Sequence, residues 1–144
     1  MKLHEKSCMF DAFCTVCSID TVEAIAFIGH DGSEYGFHSQ ELIDLCDFHG
    51  WSITEIQRHP LATHPETYAT IKIELGDERF VHHLESSDGV LMGRKAGRTH
   101  AVAWLGDHFL DSANGLVFPL LRDGKIIEDS IFHPLVLLKV RRYD

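Results

Sequence analysis

The class this sequence predicts is an α+β fold, with N-terminal helices packed on a C-terminal antiparallel sheet. Three observations carry it. Residues 8–48 place apolar side chains at helical spacing, broken by capping and glycine signals. Residues 89–141 fall into short apolar runs separated by turn signals. The helical segments come first and the strands after them, the order expected when helices cover a sheet of antiparallel strands. At 144 residues the chain is long enough to bury a real core, and a single domain spanning 1–144 is expected.

The elements follow in order. Residues 8–18 hold Met9, Ala12, Phe13, Val16 and Cys17 at helical spacing. Ser18-Ile19-Asp20 then breaks the pattern and caps a second helix over 21–27, which Gly29 ends. Residues 30–36, rich in Gly and Asp, form a loop. Ser39 is the expected cap of a third helix over 40–48, with Leu42, Ile43, Leu45 and Cys46 inward and Gly50 as its stop. Residues 51–57 suit a strand, and His59-Pro60 with His64-Pro65 marks a loop, because a residue before proline avoids helix. Residues 68–75 alternate Ala69, Ile71, Ile73, Leu75 and are expected as a strand, a short helix being the alternative. A short helix over 77–84 turns Phe80, Val81 and Leu84 inward. Strands follow at 89–92, in a hairpin around Gly106-Asp107, at 116–121 and at 134–141, with 93–97 read as a basic connecting loop.

Composition excludes several classes. Apolar residues make up 44% of the chain and charged residues 24%, the balance of a soluble globular protein. A formal charge of −9 repels nucleic-acid phosphates and anionic lipid, so neither nucleic acid nor membrane is an expected partner. No apolar run reaches membrane-spanning length, and Met1-Lys2-Leu3-His4-Glu5-Lys6 lacks a signal peptide's apolar region, so a cytoplasmic location is expected. The four cysteines, Cys8, Cys14, Cys17 and Cys46, are too few and too clustered for a disulfide framework and read as thiols.

The chemistry concentrates in Thr99-His100-Ala101-Val102-Ala103-Trp104 and Phe109-Leu110-Asp111. If Trp104 faces Phe109 across the hairpin, pleat alternation puts His100 and Asp111 on one face as diagonal neighbours. A carboxylate in so apolar a strand is costly to bury without a partner, and His100 is placed to be one. An imidazole held by a carboxylate is a base with its orienting group, and the nucleophile it would serve is Cys8, at the start of the first helix. The structural alternatives are a small buried hydrophobe at Cys8 and a core histidine at His100. Cys14-Thr15-Val16-Cys17, with Cys8 and His4 near in sequence, is an alternative metal-binding cluster, although it lies in a helical run rather than on a turn. His82-His83 beside Glu85 reads as solvated surface.

Taken in order, these residues resemble the papain-like cysteine peptidases, and within them the bacteriocin-processing branch. Cys8-Met9-Phe10-Asp11-Ala12 opening a helix resembles that branch's Asp-Cys-Gly-x-Ala-Ala start. Residues 19–29 match its second small helix, and residues 39–53 its segment of helix, Gly, aromatic, Ser, Val. Gly97-Arg98-Thr99-His100-Ala101-Val102-Ala103 resembles its Gly-x-x-His-x-Val-x strand. Asp111-Ser112-Ala113-Asn114-Gly115 resembles its Asp-Pro-x-x-Gly ending, with Ser112 for the proline. The resemblance covers most of residues 5–121.

What the resemblance implies is a papain-like domain cleaving an amide or peptide bond of a peptide or protein substrate through a thioester. Cys8 would be the nucleophile, His100 the acid–base group and Asp111 its orienting partner, with Asn114 as the alternative third member and with no cofactor or metal. Two departures stand out: Lys2 lies where those peptidases carry an oxyanion-donating glutamine, and Met9 replaces the glycine after the cysteine. The oxyanion would then rest on the Cys8 backbone N–H, with His4 or Ser7 as helpers. These departures also suit an amidase, deamidase or acyltransferase relative, or a binding module that has lost catalysis.

Overall fold

A computed structural model describes residues 8–59, 70–111, 115–127 and 131–143. Helices α1 (Cys8–Val16), α2 (Thr21–Ile28) and α3 (Ser39–Phe48) precede strand β1 (Trp51–Gln57). Helix α4 (Thr70–Ser86) follows, then β2 (Gly89–Lys95), β3 (Arg98–Trp104), β4 (His108–Asp111) and β5 (Leu116–Pro119). A small ribbon of β6 (Leu121–Arg122) and β7 (Lys125–Ile126) leads into β8 (Phe132–Arg142). Six strands form one antiparallel sheet in the order β1-β8-β2-β3-β4-β5. The α+β class with an antiparallel sheet is therefore what the chain adopts.

Each of the first three helices is set by its ends. Helix α1 stops where Ser18 turns left-handed (φ 53°), and the N–H of Ile19 closes onto the carbonyl of Cys14. Asp20 caps α2 by accepting from the N–H of Glu23, and Gly29 (φ 95°) ends it with its own N–H on the carbonyl of Ile25. The cap of α3 is His38 rather than Ser39. Its Nδ1 accepts from the N–H of Gln40 while Glu41 accepts from the backbone of His38, a capping box built on an imidazole.

The alternating run expected as a strand from residue 68 is helical from Thr70 onward, and its first residues lie outside those described. Of its apolar positions, Leu75 is 58% exposed, so alternation there marks no buried face. Phe80 and Leu84, four apart and fully buried, pin the helix to the sheet, and helix propagates backward from that anchor at small cost per residue. The indole Nε1 of Trp104 donates to the carbonyl of Leu84 at 2.8 Å and fixes the end of α4 on β3.

The sheet is apolar on both faces. Val90, Ala101, Ala103 and Val140 pack with α1 and α3, whereas Leu91, Val102, Trp104, Phe109 and Leu137 pack with Phe80 and Leu84 of α4. Alternation along β3 thus feeds two cores at once. Residues 93–95, expected in a connecting loop, extend β2 instead. The turn is confined to Ala96 (φ 52°) and Gly97 (φ 78°). The last strand likewise begins earlier than expected, at Phe132.

Strand β8 crosses β2 with a register shift between Met92 and Gly93. At that irregularity a Cβ on Gly93 would stand 2.0 Å from the carbonyl oxygen of His133, a backbone atom that cannot swing aside. Gly93→Ala is expected to lower unfolding free energy by about 1–3 kcal/mol. The denaturant midpoint checks this, and an unchanged midpoint would mean the two strands separate there at no cost.

Candidate functional site

Strands β3 and β4 pair as Ala103 with Leu110 and Trp104 with Phe109, and the N–H of Leu105 donates to the carbonyl of His108 to close the hairpin. This register is the one expected from Gly106-Asp107. It places His100 and Asp111 together: His100 Nε2 lies 3.0 Å from Asp111 Oδ1. Asp111 is 1% exposed, the one fully buried charged side chain among the described residues. With Nε2–H donating to the carboxylate, the lone pair of the ring resides on Nδ1. The ring also meets Phe132 edge-on, with centroids 6.5 Å apart.

The other carboxylate oxygen is held by a residue the sequence reading placed in a loop. Lys95 Nζ lies 2.5 Å from Asp111 Oδ2. Because Lys95 belongs to β2, two strands away from Asp111 across β3, its side chain spans β3 to reach the carboxylate. Asp111 thereby has a different cationic or hydrogen-bonding partner on each oxygen, which offsets the lost hydration of a buried carboxylate. The carbonyl of Asp111 accepts from the N–H of Gly115 at 2.8 Å. Ser112, Ala113 and Asn114 lie outside the described residues, as do Lys2, His4 and Ser7.

Cys8 opens α1 and packs in the core on the α1 side of the sheet, where it is 9% exposed. The backbone N–H of Ala101, the residue after His100, hydrogen-bonds its sulfur, as do those of Met9 and Cys8 itself at the start of the helix. Cys8 thus meets β3 at the amide of Ala101, whose side chain lies in the core on the α1 side, whereas His100 alternates with it and lies against Phe132 of the other core. Among the described contacts its ring pairs with Asp111 and not with the Cys8 sulfur. Burial pushes the Cys8 thiol up; the three N–H groups oppose that without overcoming it, and Asp11 adds to the rise.

Asp11 lies one turn along α1 from Cys8. Its Oδ2 is buried with no hydrogen-bond partner, and burial raises the carboxyl above its ordinary value. The remaining cysteines are core thiols. Burial pushes Cys14 up to about 12, and Cys46 is raised by its hydrogen bond with Cys17 and by burial. Cys14 lies in α1 and Cys17 in the turn just after it, both with side chains buried in this core, and among the described residues no three His, Cys, Asp or Glu side chains gather around one point.

A second carboxylate cluster escaped the sequence reading. Arg58 Nε (2.7 Å) and His59 Nε2 (2.6 Å) both reach Asp77 Oδ1, and Arg58 Nη1 reaches the carbonyl of Pro134. Burial works against the ionised carboxylate, but Arg58 and His59 hold Asp77 below its ordinary range. The cluster ties the end of β1 to α4 and β8. Nothing in the spacing of residues 58 and 77 signals it, because the contact forms only once α4 is laid on the sheet.

Asp111→Ala strips Lys95 and His100 of their shared acceptor, and a loss of about 3–5 kcal/mol in unfolding free energy is expected. Lys95→Met should cost less, since its side chain is 28% exposed and His100 still holds the carboxylate. Equal losses in urea titrations would contradict this division. For Asp11 the sign is opposite. The folded chain holds that proton more tightly than the unfolded chain does, so ionisation costs stability at neutral pH and nothing below the ordinary carboxylate range. Asp11→Asn is expected to raise the melting temperature at pH 7, with the gain vanishing as Asp11 protonates in acid.

Compared with family models, curated proteins and solved structures, the chain finds no match, so the site rests on its own geometry.

Proposed function

We propose that the chain is a cysteine-dependent hydrolase acting on an amide or peptide bond, a papain-like domain with Cys8, His100 and Asp111 as its triad. The observation that carries this reading is the 3.0 Å contact of His100 Nε2 with the buried Asp111, one residue along β3 from the amide that touches the Cys8 sulfur. A carboxylate that fixes one ring nitrogen leaves the other as a base, and such a pair beside a thiol is the requirement for nucleophilic catalysis.

The chemistry runs in two halves. His100 Nδ1 takes the proton of the Cys8 thiol as the sulfur attacks the carbonyl carbon, and the carbonyl π electrons move onto oxygen. The backbone N–H of Cys8, at the positive end of α1, passes from the sulfur to the developing oxyanion as the thiolate's charge moves onto the carbonyl oxygen. As the tetrahedral species collapses, the C–N bond breaks, the nitrogen takes the proton from His100 and the amine departs, leaving a thioester on Cys8. His100 then deprotonates water for attack on the thioester, and the acid leaves as the sulfur regains a proton. Asp111 keeps the ring oriented and stabilises its charged form throughout.

A second reading is favoured by a specific observation. Cys8 is nearly buried and its thiol is pushed up rather than down, which suits a binding module on the same scaffold whose cysteine is structural.

The pH dependence of iodoacetamide labelling at Cys8, located by mass spectrometry, separates the two. The hydrolase reading expects labelling that depends on His100 and collapses by about ten-fold or more in His100→Ala. Asp11→Asn, by removing a neighbouring negative charge, should move the labelling curve to lower pH. Slow labelling along a curve at or above the ordinary thiol range, indifferent to His100, would overturn the hydrolase and leave the binding module.

A further inference from the structure

The charge of this chain is unevenly distributed. Residues 8–57 contain nine Asp and Glu and no Lys or Arg, so they account for the whole formal charge of −9, and the remainder of the chain is balanced. Within that third, between α2 and α3, a cavity of about 430 Å³ opens. This volume is within the range of sites that hold a small group, roughly 300–1,000 Å³.

The walls of the cavity are built by a glycine-jointed loop. Gly32 (φ 72°) presses against the ring of Phe37 so closely that a Cβ there would meet ring carbons at 2.4 Å. Phe37 stacks on His30 (centroids 5.2 Å apart) and, on its other side, on Phe10 of α1 (4.3 Å, 9° between planes). Phe10 lies two residues beyond Cys8, so this column of rings joins the cavity to the first turn of α1.

The polar lining is ordered as well as acidic. The N–H of Gly32 donates to His30 Nδ1, which leaves the ring proton on Nε2 to donate to Glu41 Oε2 at 2.6 Å. Glu41 is thus engaged on both oxygens, by His30 and by the N–H of His38. Asp31 Oδ1 accepts from the N–H of Ser33, and its contacts with Ser33 hold the carboxyl below its ordinary value. Asp31 and Glu34 line the same cavity as Tyr35, which is 84% exposed, and the ring of Phe37.

We infer that this cavity is a recognition site for a cationic side chain, an arginine in the polypeptide on which the chain acts. Phe37 is covered by Phe10 and His30 and Glu41 is engaged on both oxygens, so the open ring is that of Tyr35 and the carboxylates beside it are Asp31 and Glu34. A guanidinium suits such a set, stacking on the ring while donating to the carboxylates in its plane. The negative field of the helical third draws such a segment in and would repel an acidic one. The polypeptide part of the assignment rests on the hydrolase reading above; the cation part rests on the cavity alone.

The test is binding, measured by fluorescence anisotropy on the Cys8→Ser chain so that turnover plays no part. The probes are a short end-blocked peptide with a central arginine, its counterpart with glutamine in that position, and free arginine amide. The arginine peptide is expected to bind about ten-fold more tightly than the glutamine peptide, with added salt eroding the difference. The preference should disappear in Asp31→Asn/Glu34→Gln and weaken in Tyr35→Ala, an exposed position whose change leaves the melting temperature intact. Equal binding of the two peptides, or a preference that survives the double variant, overturns the site. Arginine amide binding as tightly as the peptide overturns the polypeptide as its ligand. His100-independent labelling of Cys8 alongside a retained arginine preference would instead fail only the hydrolase.

Discussion

A carboxylate that is 1% exposed has lost nearly all its hydration, and Asp111 recovers the loss through two partners on two different strands. His100 takes one oxygen and Lys95 the other, so the charge can be buried only when β2, β3 and β4 are all in register. That requirement couples chemistry to architecture. The register that aligns Trp104 with Phe109 is the register that brings His100 to Asp111, and a slip of β4 by one residue would turn Asp111 to the face opposite His100. The sheet accepts so strict a demand because β3 is apolar on both sides, with Ala101 and Ala103 under α1 and Val102 and Trp104 under α4.

Much of this was legible in the residues. The hairpin signal at Gly106-Asp107 gave the pairing, and pleat parity gave the His100–Asp111 neighbourhood. The first three helices were readable from Asp20, Gly29 and the apolar spacing between them. What escaped the sequence shares one physical cause, a tertiary contact overriding a local signal. Ile71, Ile73 and Leu75 alternate as in a strand, yet the burial of Phe80 and Leu84 decides the segment as helix. Gly93 and Gly97 punctuate like a loop, yet Gly93 is there because β8 passes too close for a side chain, and Arg94 and Lys95 stay in the ladder. Lys95 was invisible as a partner for Asp111 for that reason. His38 displaced Ser39 as a cap because an imidazole Nδ1 can accept the same N–H that a hydroxyl would.

The two halves of the candidate site have unlike environments. His100 and Asp111 are fixed by hydrogen bonds on rigid strands, the setting in which a base keeps its orientation. Cys8 is placed by packing, with backbone N–H groups at its sulfur and the unpartnered oxygen of Asp11 one turn away. An orphaned buried oxygen is rare in folded proteins and marks a place where the surroundings change or a further group arrives. Its position, beside the thiol rather than beside the base, makes the α1 end of the site the part whose electrostatics are least settled by the fold itself.

The strand order carries a consequence for how the chain assembles. In the sheet, β1 touches only β8, and β8 is also the partner of β2. Trp51 pairs with Arg142, whose guanidinium lies 5.0 Å over its ring, so the edge strand waits for a segment separated from it by α4 and the whole hairpin array. The β2–β3–β4 array can close locally, but β1 cannot join the sheet until the last strand is available, and loop-closure entropy makes that the slow event. During synthesis the α1–α3 third therefore emerges well before the strand that docks β1 exists, with β1's ladder groups open to pairing with another chain in the interval.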